Sequence, residues 1–161
     1  MILRKQTHAY GIWETRLDFE PSELTYEAGV VCYWNCYTFA SLGIRKKRSG
    51  KGRELWFTRP DTQPGEFRSS IHPVYSEDAI RLSIQCSPEG YSLGYDRGED
   101  NDGLEDSWLG EVDMKTMTAD PHKGMAFTGM MLGLYSFGEL QKCLSPADFA
   151  YASFRNEDGV D

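Results

Sequence analysis

Carboxylates are the most abundant groups in this chain that could do chemistry, with 25 Asp and Glu against 17 Lys and Arg. Two carboxyls facing one glycosidic bond, one of them raised in pKa by burial, could act as general acid and base. Glu14 and Asp18 share a strand face, but Arg16 stands between them and neutralises rather than perturbs. No catalytic pair is expected. The three histidines, His8, His72 and His122, lie apart from any second ligand at metal spacing. Cys32 and Cys36 would sit on one face of a strand more than ~10 Å apart at about 3.3 Å per residue, too far to bridge. With Cys86 and Cys143 they read as four small buried thiols. There is no G-x-S-x-G elbow and no glycine-rich phosphate loop joining a strand to a helix. The acidic residues 96–106 (DRGEDNDGLED) invite calcium. Yet with Gly103 at the sixth position of an EF-hand loop, Gly98 falls at the first and Leu109 at the twelfth, where carboxylates belong. A solvated loop tip is the preferred reading, with a calcium site of another kind as the alternative. No other cofactor is expected.

Aromatic side chains form the second group. In residues 28–44 (AGVVCYWNCYTFASLGI), Tyr33, Asn35, Tyr37 and Phe39 alternate with Cys32, Trp34 and Cys36. Sugar rings present flat C–H faces that stack on aromatic rings while polar neighbours hold their hydroxyls. One of the two faces could therefore line a sugar groove, which makes Tyr33, Asn35, Tyr37 and Trp34 candidate substrate-binding residues. In a sandwich most such rings are core, and that plainer reading carries more weight.

The elements that must position these groups read as strands. Residues 13–19 (WETRLDF) place Trp13, Thr15, Leu17 and Phe19 on one face and Glu14, Arg16 and Asp18 on the other, the period of a half-buried antiparallel strand. Residues 28–44 are too long for one strand of about 5–6 residues and divide at Asn35-Cys36. A basic tip follows at residues 45–53, then a strand at 54–59. Residues 60–73 read as loop with one short edge strand near Phe67, and residues 114–123 as irregular. Further strands are expected at 79–85, 91–95, 108–112, 130–137 and 147–154. Many short strands with turn signals and no sustained helical period indicate an all-β sandwich or jelly roll. The 161 residues suit one domain, at 1–155, followed by a frayed polar tail at 156–161. A net charge of −8 disfavours nucleic acid as a partner. No apolar run approaches the roughly 20 residues of a membrane span. No signal-peptide stretch is visible at the N-terminus, so the chain as written is expected in the cytoplasm.

Ordered blocks along the chain resemble one family. Residues 3–21 (LRKQTHAYGIWETRLDFEP) are similar to the opening of the C-terminal domain of family 43 β-xylosidases: a basic-Gln-Thr-His start, then an alternating strand ending in Asp-Phe-x-Pro. Residues 27–35 (EAGVVCYWN) resemble its second block, and 108–118 (WLGEVDMKTMT) its Leu-Gly-Glu-Val-Asp block. Residues 127–138 (FTGMMLGLYSFG) and 146–154 (PADFAYASF) are similar to its last two strands. The wording at 132–135 (LGLY) and 143–149 (CLSPADF) looks most like fungal members.

The resemblance implies a concanavalin A-like β-sandwich that accompanies a catalytic five-bladed propeller. In the family an inverting hydrolysis uses acidic residues of that propeller, and no propeller lies within these residues. The chain is therefore expected to be an accessory domain, not catalytic alone, completing the substrate pocket of a β-xylosidase or arabinofuranosidase and touching xylan or xylo-oligosaccharides. By resemblance, Phe127 matches a ring that the family places at the rim of the catalytic pocket; an ordinary buried ring is the alternative of equal weight. The family domain usually begins with a strand or two before the Arg-Lys-Gln-Thr-His block, whereas Met1 stands almost directly before it. The expectation thus includes a sandwich short of its first strand, with an unpaired edge open to self-association.

Two rival readings remain at this point. One is a stand-alone enzyme reusing the sandwich, an isomerase or cyclase acting on a small apolar molecule in a pocket of Trp34, Tyr37, Trp56 and methionines. The other is a lectin-like sugar binder with an open aromatic groove.

Overall fold

A computed structural model describes residues 1–63, 65–74, 78–96, 108–118 and 129–157. Within them the chain forms eleven strands: β1 (Ile2–Lys5), β2 (Gly11–Phe19), β3 (Tyr26–Asn35), β4 (Thr38–Lys46), β5 (Arg53–Pro60), β6 (Phe67–Pro73), β7 (Ile80–Cys86), β8 (Gly90–Asp96), β9 (Trp108–Asp113), β10 (Met131–Gly138) and β11 (Ala147–Asn156). A single helical turn, α1 (Met114–Met117), follows β9. Among the described residues no helix is long and apolar enough to cross a membrane.

The strands make two antiparallel sheets, one ordered β1-β10-β3-β4-β5-β6 and the other β11-β2-β7-β8-β9. Alternation decides which side chains meet between them. Tyr26, Ala28, Val30 and Cys32 of β3, Ala40, Leu42 and Ile44 of β4, and Leu55 and Phe57 of β5 point inward. They meet Trp13, Leu17 and Phe19 of β2, Leu82 and Ile84 of β7, and Leu93 of β8. This is the two-layer concanavalin A-like sandwich that the strand periods and the ordered blocks imply.

Residues 28–44 divide as expected, with β3 and β4 joined by a two-residue turn at Cys36 and Tyr37. The Asn35 side-chain carbonyl accepts the Tyr37 backbone N–H at 2.7 Å, a local bond that turns the chain at that point. The basic tip closes through Gly50 N–H to Lys47 carbonyl, with Gly50 and Gly52 in the left-handed region at φ +89° and +82°. Its last residue, Arg53, is buried and holds the two sheets together at one end. Arg53 Nη1 donates to the Phe19 carbonyl at 3.1 Å and Nη2 to the Asp78 carbonyl at 2.7 Å.

Three expectations change. The edge strand expected near Phe67 is present but longer than expected, β6 running seven residues along β5. Residues 114–117 are helical rather than irregular: the Asp113 carboxylate caps the turn by accepting the Thr116 N–H at 2.7 Å. And the Arg-Lys-Gln block itself supplies an edge strand, since Ile2–Lys5 pairs with Leu134 to Met131 of β10.

Leu42 is fully buried at the centre of β4. Leu42→Ala should therefore lower unfolding stability by roughly 2–5 kcal/mol in urea melts, the range for a buried leucine that leaves a cavity.

Candidate functional site

The six-stranded sheet has a second face, turned away from the core. Register places its side chains in rows across the strands. One row reads Phe137, Glu27, Arg45, Glu54 and Pro73; the next reads Tyr135, Gly29, Gly43, Trp56 and Ile71. A third reads Gly133, Val31, Ser41, Thr58 and Ser69. Glycines at 29 and 43 stand side by side on the two central strands, so the second row has a gap in its middle.

Tyr135 fills that gap. Its hydroxyl donates to Glu27 Oε1, while Arg45 Nε donates to Glu27 Oε2. Glu27 is 2% exposed although it sits on the outward face. The Arg45 guanidinium carbon lies 4.3 Å from the centroid of the Trp56 ring and 5.8 Å from that of Phe137. Trp56 in turn donates its indole N–H to Glu54 Oε1 at 2.8 Å. A carboxylate, a phenol and a guanidinium thus form one network roofed by aromatic rings.

Burial pushes the Glu27 carboxyl above its ordinary value of 4.5, against the opposing pull of Arg45 and of the Tyr135 and Arg45 hydrogen bonds. Burial likewise raises the Tyr135 phenol well above 10.0, and the neighbouring Glu27 adds to it. The arginine beside Glu27 can orient polar groups. Among the described residues no three His, Cys, Asp or Glu converge as a metal site.

The residues singled out from the sequence scatter. Tyr33 lies on the outward face opposite Met131, and Phe39 beside it packs at a tilt on Phe67 with ring centroids 4.4 Å apart. Trp34 packs against the core instead. Asn35 and Tyr37 belong to the hairpin turn, Tyr37 exposed and the Asn35 carbonyl already engaged. Trp34 and Trp56 therefore sit on opposite faces of the sheet and do not line one pocket with Tyr37. Phe127 and residues 97–106 of the acidic loop lie outside the described residues, as does His122.

Other assignments also shift. It is Arg81, not Arg16, that stands 4.0 Å from the buried Glu14 carboxylate, and Arg81 also pairs with Asp96. Cys36 is exposed in the turn, while Cys32 and Cys86 are buried; burial raises the Cys86 thiol to about 12. An open cleft of about 510 Å³ separates the two sheets near β6 and β9, lined by Phe57, Arg59, Arg68, Leu109 and Glu111 among others.

The Glu27 network makes a pH signature. A carboxyl raised in the folded state binds its proton more tightly there than in the unfolded chain. The stability it contributes is fully present below pH 4.5 and is lost as pH rises through the folded pKa. Asp61 and Asp113 are held below 3.8, Asp61 mainly by the Arg68 hydrogen bond and Asp113 mainly by Thr116. Their contribution runs the other way, lost as pH falls below 3.8, so the two windows do not overlap. Unfolding midpoints followed from about pH 5 to about pH 8 should therefore decline less in Glu27→Gln than in the native protein. Parallel pH profiles for the two proteins would count against a raised Glu27.

Against known proteins, the family model for the β-xylosidase C-terminal concanavalin A-like domain matches residues 1–155. No curated protein sequence matches significantly. Among solved structures, the xylan β-1,4-xylosidase of Bacillus halodurans C-125 is similar at a TM-score of 0.80 and 22% identity, over 96% of this chain and 29% of that one. A Bacteroides ovatus protein, xyloglucan PUL GH43B, is similar at 0.75 and 22%, again over 96% and 29%. A functionally unknown protein from Saccharomyces cerevisiae shares the fold at 0.67 and 8% identity, over 98% of this chain and 74% of that one. The chain thus spans under a third of the length of those two bacterial proteins. With the family model matched across both sheets, the chain belongs to the β-xylosidase C-terminal concanavalin A-like domain family.

Proposed function

We propose that this sandwich is a non-catalytic accessory domain that works with a family 43 catalytic domain, completes its substrate pocket and contacts xylan. The observation that carries this reading is the share of chain: the same fold makes up 29% of the Bacillus halodurans xylosidase, which leaves most of that protein for the chemistry. The site described above agrees with it. Glu27 is locked to Arg45 and Tyr135 rather than facing a second carboxyl across an open gap, the arrangement hydrolysis of a glycosidic bond needs.

In this reading Phe127 supplies a ring to the rim of the partner's pocket. Support comes from the sequence alone, where the Phe-Thr-Gly step matches the block that precedes the family's penultimate strand. The blocks at 132–135 and 143–149 support grouping the chain with fungal members. Self-association is the remaining part of the proposal. β1 pairs with β10 only from Met131 to Leu134 and Gly138 bridges to Gln141, so Tyr135 to Phe137 have no strand beside them on that side among the described residues. A second copy adding a strand there would satisfy those groups.

The purified chain should not turn over 4-nitrophenyl β-xyloside, and adding it to a catalytic domain prepared alone should raise that domain's activity. Turnover by the chain that persists after removal of contaminating hydrolases would overturn the accessory reading. Sedimentation velocity over a concentration series checks self-association, which is expected as a concentration-dependent dimer.

A further inference from the structure

On the outward face, Arg45 keeps hydrogen-bonding capacity that the described residues leave over. Arg45 uses Nε on Glu27, and its two terminal amino groups donate to no acceptor among the described residues. Its side chain is 18% exposed, so solvent reaches it. The guanidinium plane cannot swing freely, because Trp56 and Phe137 hold it between their rings and Glu27 holds it from below. Beside it, Glu54 spends one oxygen on the Trp56 indole and keeps the other. Phe137 is 41% exposed and Ile71 52%, which gives the site apolar flanks open to solvent.

A planar fork with two spare donors, a carboxylate oxygen next to it and exposed ring surface are what a pyranose ring with neighbouring hydroxyls requires. Charge decides what kind of sugar. Glu27 offsets Arg45, Glu54 faces it across the strand pair, and Glu139 is close enough to push the Glu27 carboxyl up further. Three carboxyls around one guanidinium repel an acidic ligand and leave a neutral one favoured. The Tyr33 end of the face has no charged group of this kind: Phe39 and Phe67 pack on each other at a tilt, and Asn35, its carbonyl used, keeps only a buried amide N–H group.

We propose that Arg45, held by Glu27 between Trp56 and Phe137, is the hydroxyl-binding centre of a subsite for neutral pyranosides with neighbouring free hydroxyls, for which xylo-oligosaccharides serve as the probe. This rests on the xylan-contacting part of the proposed function but not on its accessory, pocket-completing part. The site is distinct from the residues that alternation in β3 suggests.

The test is a titration of the whole chain with xylohexaose and, separately, with an oligogalacturonide, followed by calorimetry and by the indole N–H signals in ¹H–¹⁵N spectra. Xylohexaose should bind and shift the Trp56 signal, while the acidic oligosaccharide should not. Arg45→Lys keeps the charge but loses the fork, and should weaken xylohexaose at least about tenfold. Phe137→Ala, at an exposed ring that the core does not need, should weaken it as well and guards against misfolding of the arginine variant. Tyr33→Phe should bind as the native chain does. Unchanged binding in both Arg45→Lys and Phe137→Ala, stronger binding of the oligogalacturonide, or no binding of xylohexaose would each overturn the subsite. None of these results touches the activity test of the accessory role, so the two readings fail separately.

Discussion

A β-carbon at position 43 would stand 2.3 Å from the Tyr135 hydroxyl and 2.8 Å from Glu27. At position 29 it would stand 2.0 Å from the Leu42 carbonyl. No side chain fits at either place, and these two glycines face each other across the central strand pair. Glycine inside a strand weakens it, and at position 43 the missing volume is used: it is the lane in which the Tyr135 hydroxyl reaches Glu27, while at position 29 the space is taken by the β4 backbone. Glu27 positions Arg45, and Arg45 lies against the rings of Trp56 and Phe137. The outward face of β10, β3, β4 and β5 is organised around that lane and the tyrosine that fills it.

Burying a charged pair is not a route to stability. Removing a carboxylate and a guanidinium from water costs several kcal/mol per ion, and apolar residues of similar volume often do as well or better. The inward faces of the same strands show how the chain solves the packing problem where nothing else is asked of it, with Val30, Leu42, Ile44 and Leu55 fully buried. The outward face departs from that solution at Glu27. Its raised carboxyl records the cost. What the fold obtains is an arginine with little rotamer freedom left, which lowers the entropy lost when a ligand is bound.

Much of the fold was legible because alternation survives wherever one face of a strand is wet. β2 and β7 show it, and residues 28–44 had to contain two strands on length alone. β6 was half hidden for the opposite reason: as an edge strand mostly exposed on both faces, FRSSIHP has no apolar period to read. The site was the least legible part. β3 is buried on both faces from Tyr26 to Cys32, so its pattern does not say which face is core, and only its aromatic end at Tyr33 to Tyr37 stands out in the sequence. Glu27 and Arg45 are eighteen positions apart and become neighbours only through the β3–β4 register. Two signals were present nonetheless. A glutamate inside an apolar strand flags a buried charge, and a strand-interior glycine flags close approach; Glu27, Gly29 and Gly43 carry both.

The identity of the domain came from the order of its blocks, and function cannot be read from the fold they build. The same sandwich occurs as 29% of a bacterial xylosidase and aligns with 74% of a yeast protein of unknown function. Its inner faces answer to packing, which any protein with this architecture must satisfy. The outward faces of the central strands do not face the second sheet, although Glu27, Val31, Ser41 and Tyr135 are buried there too, and side chains on them can be polar, small or charged without disturbing the core. A buried glutamate, a paired glycine gap and an arginine between two rings are three departures from the plainest choice, all within two adjacent rows of one face. One departure can be an accident of packing. Three that each depend on the next, from the glycine lane to the tyrosine, from the carboxylate to the guanidinium, make a device for holding one cation still at the surface of a sheet.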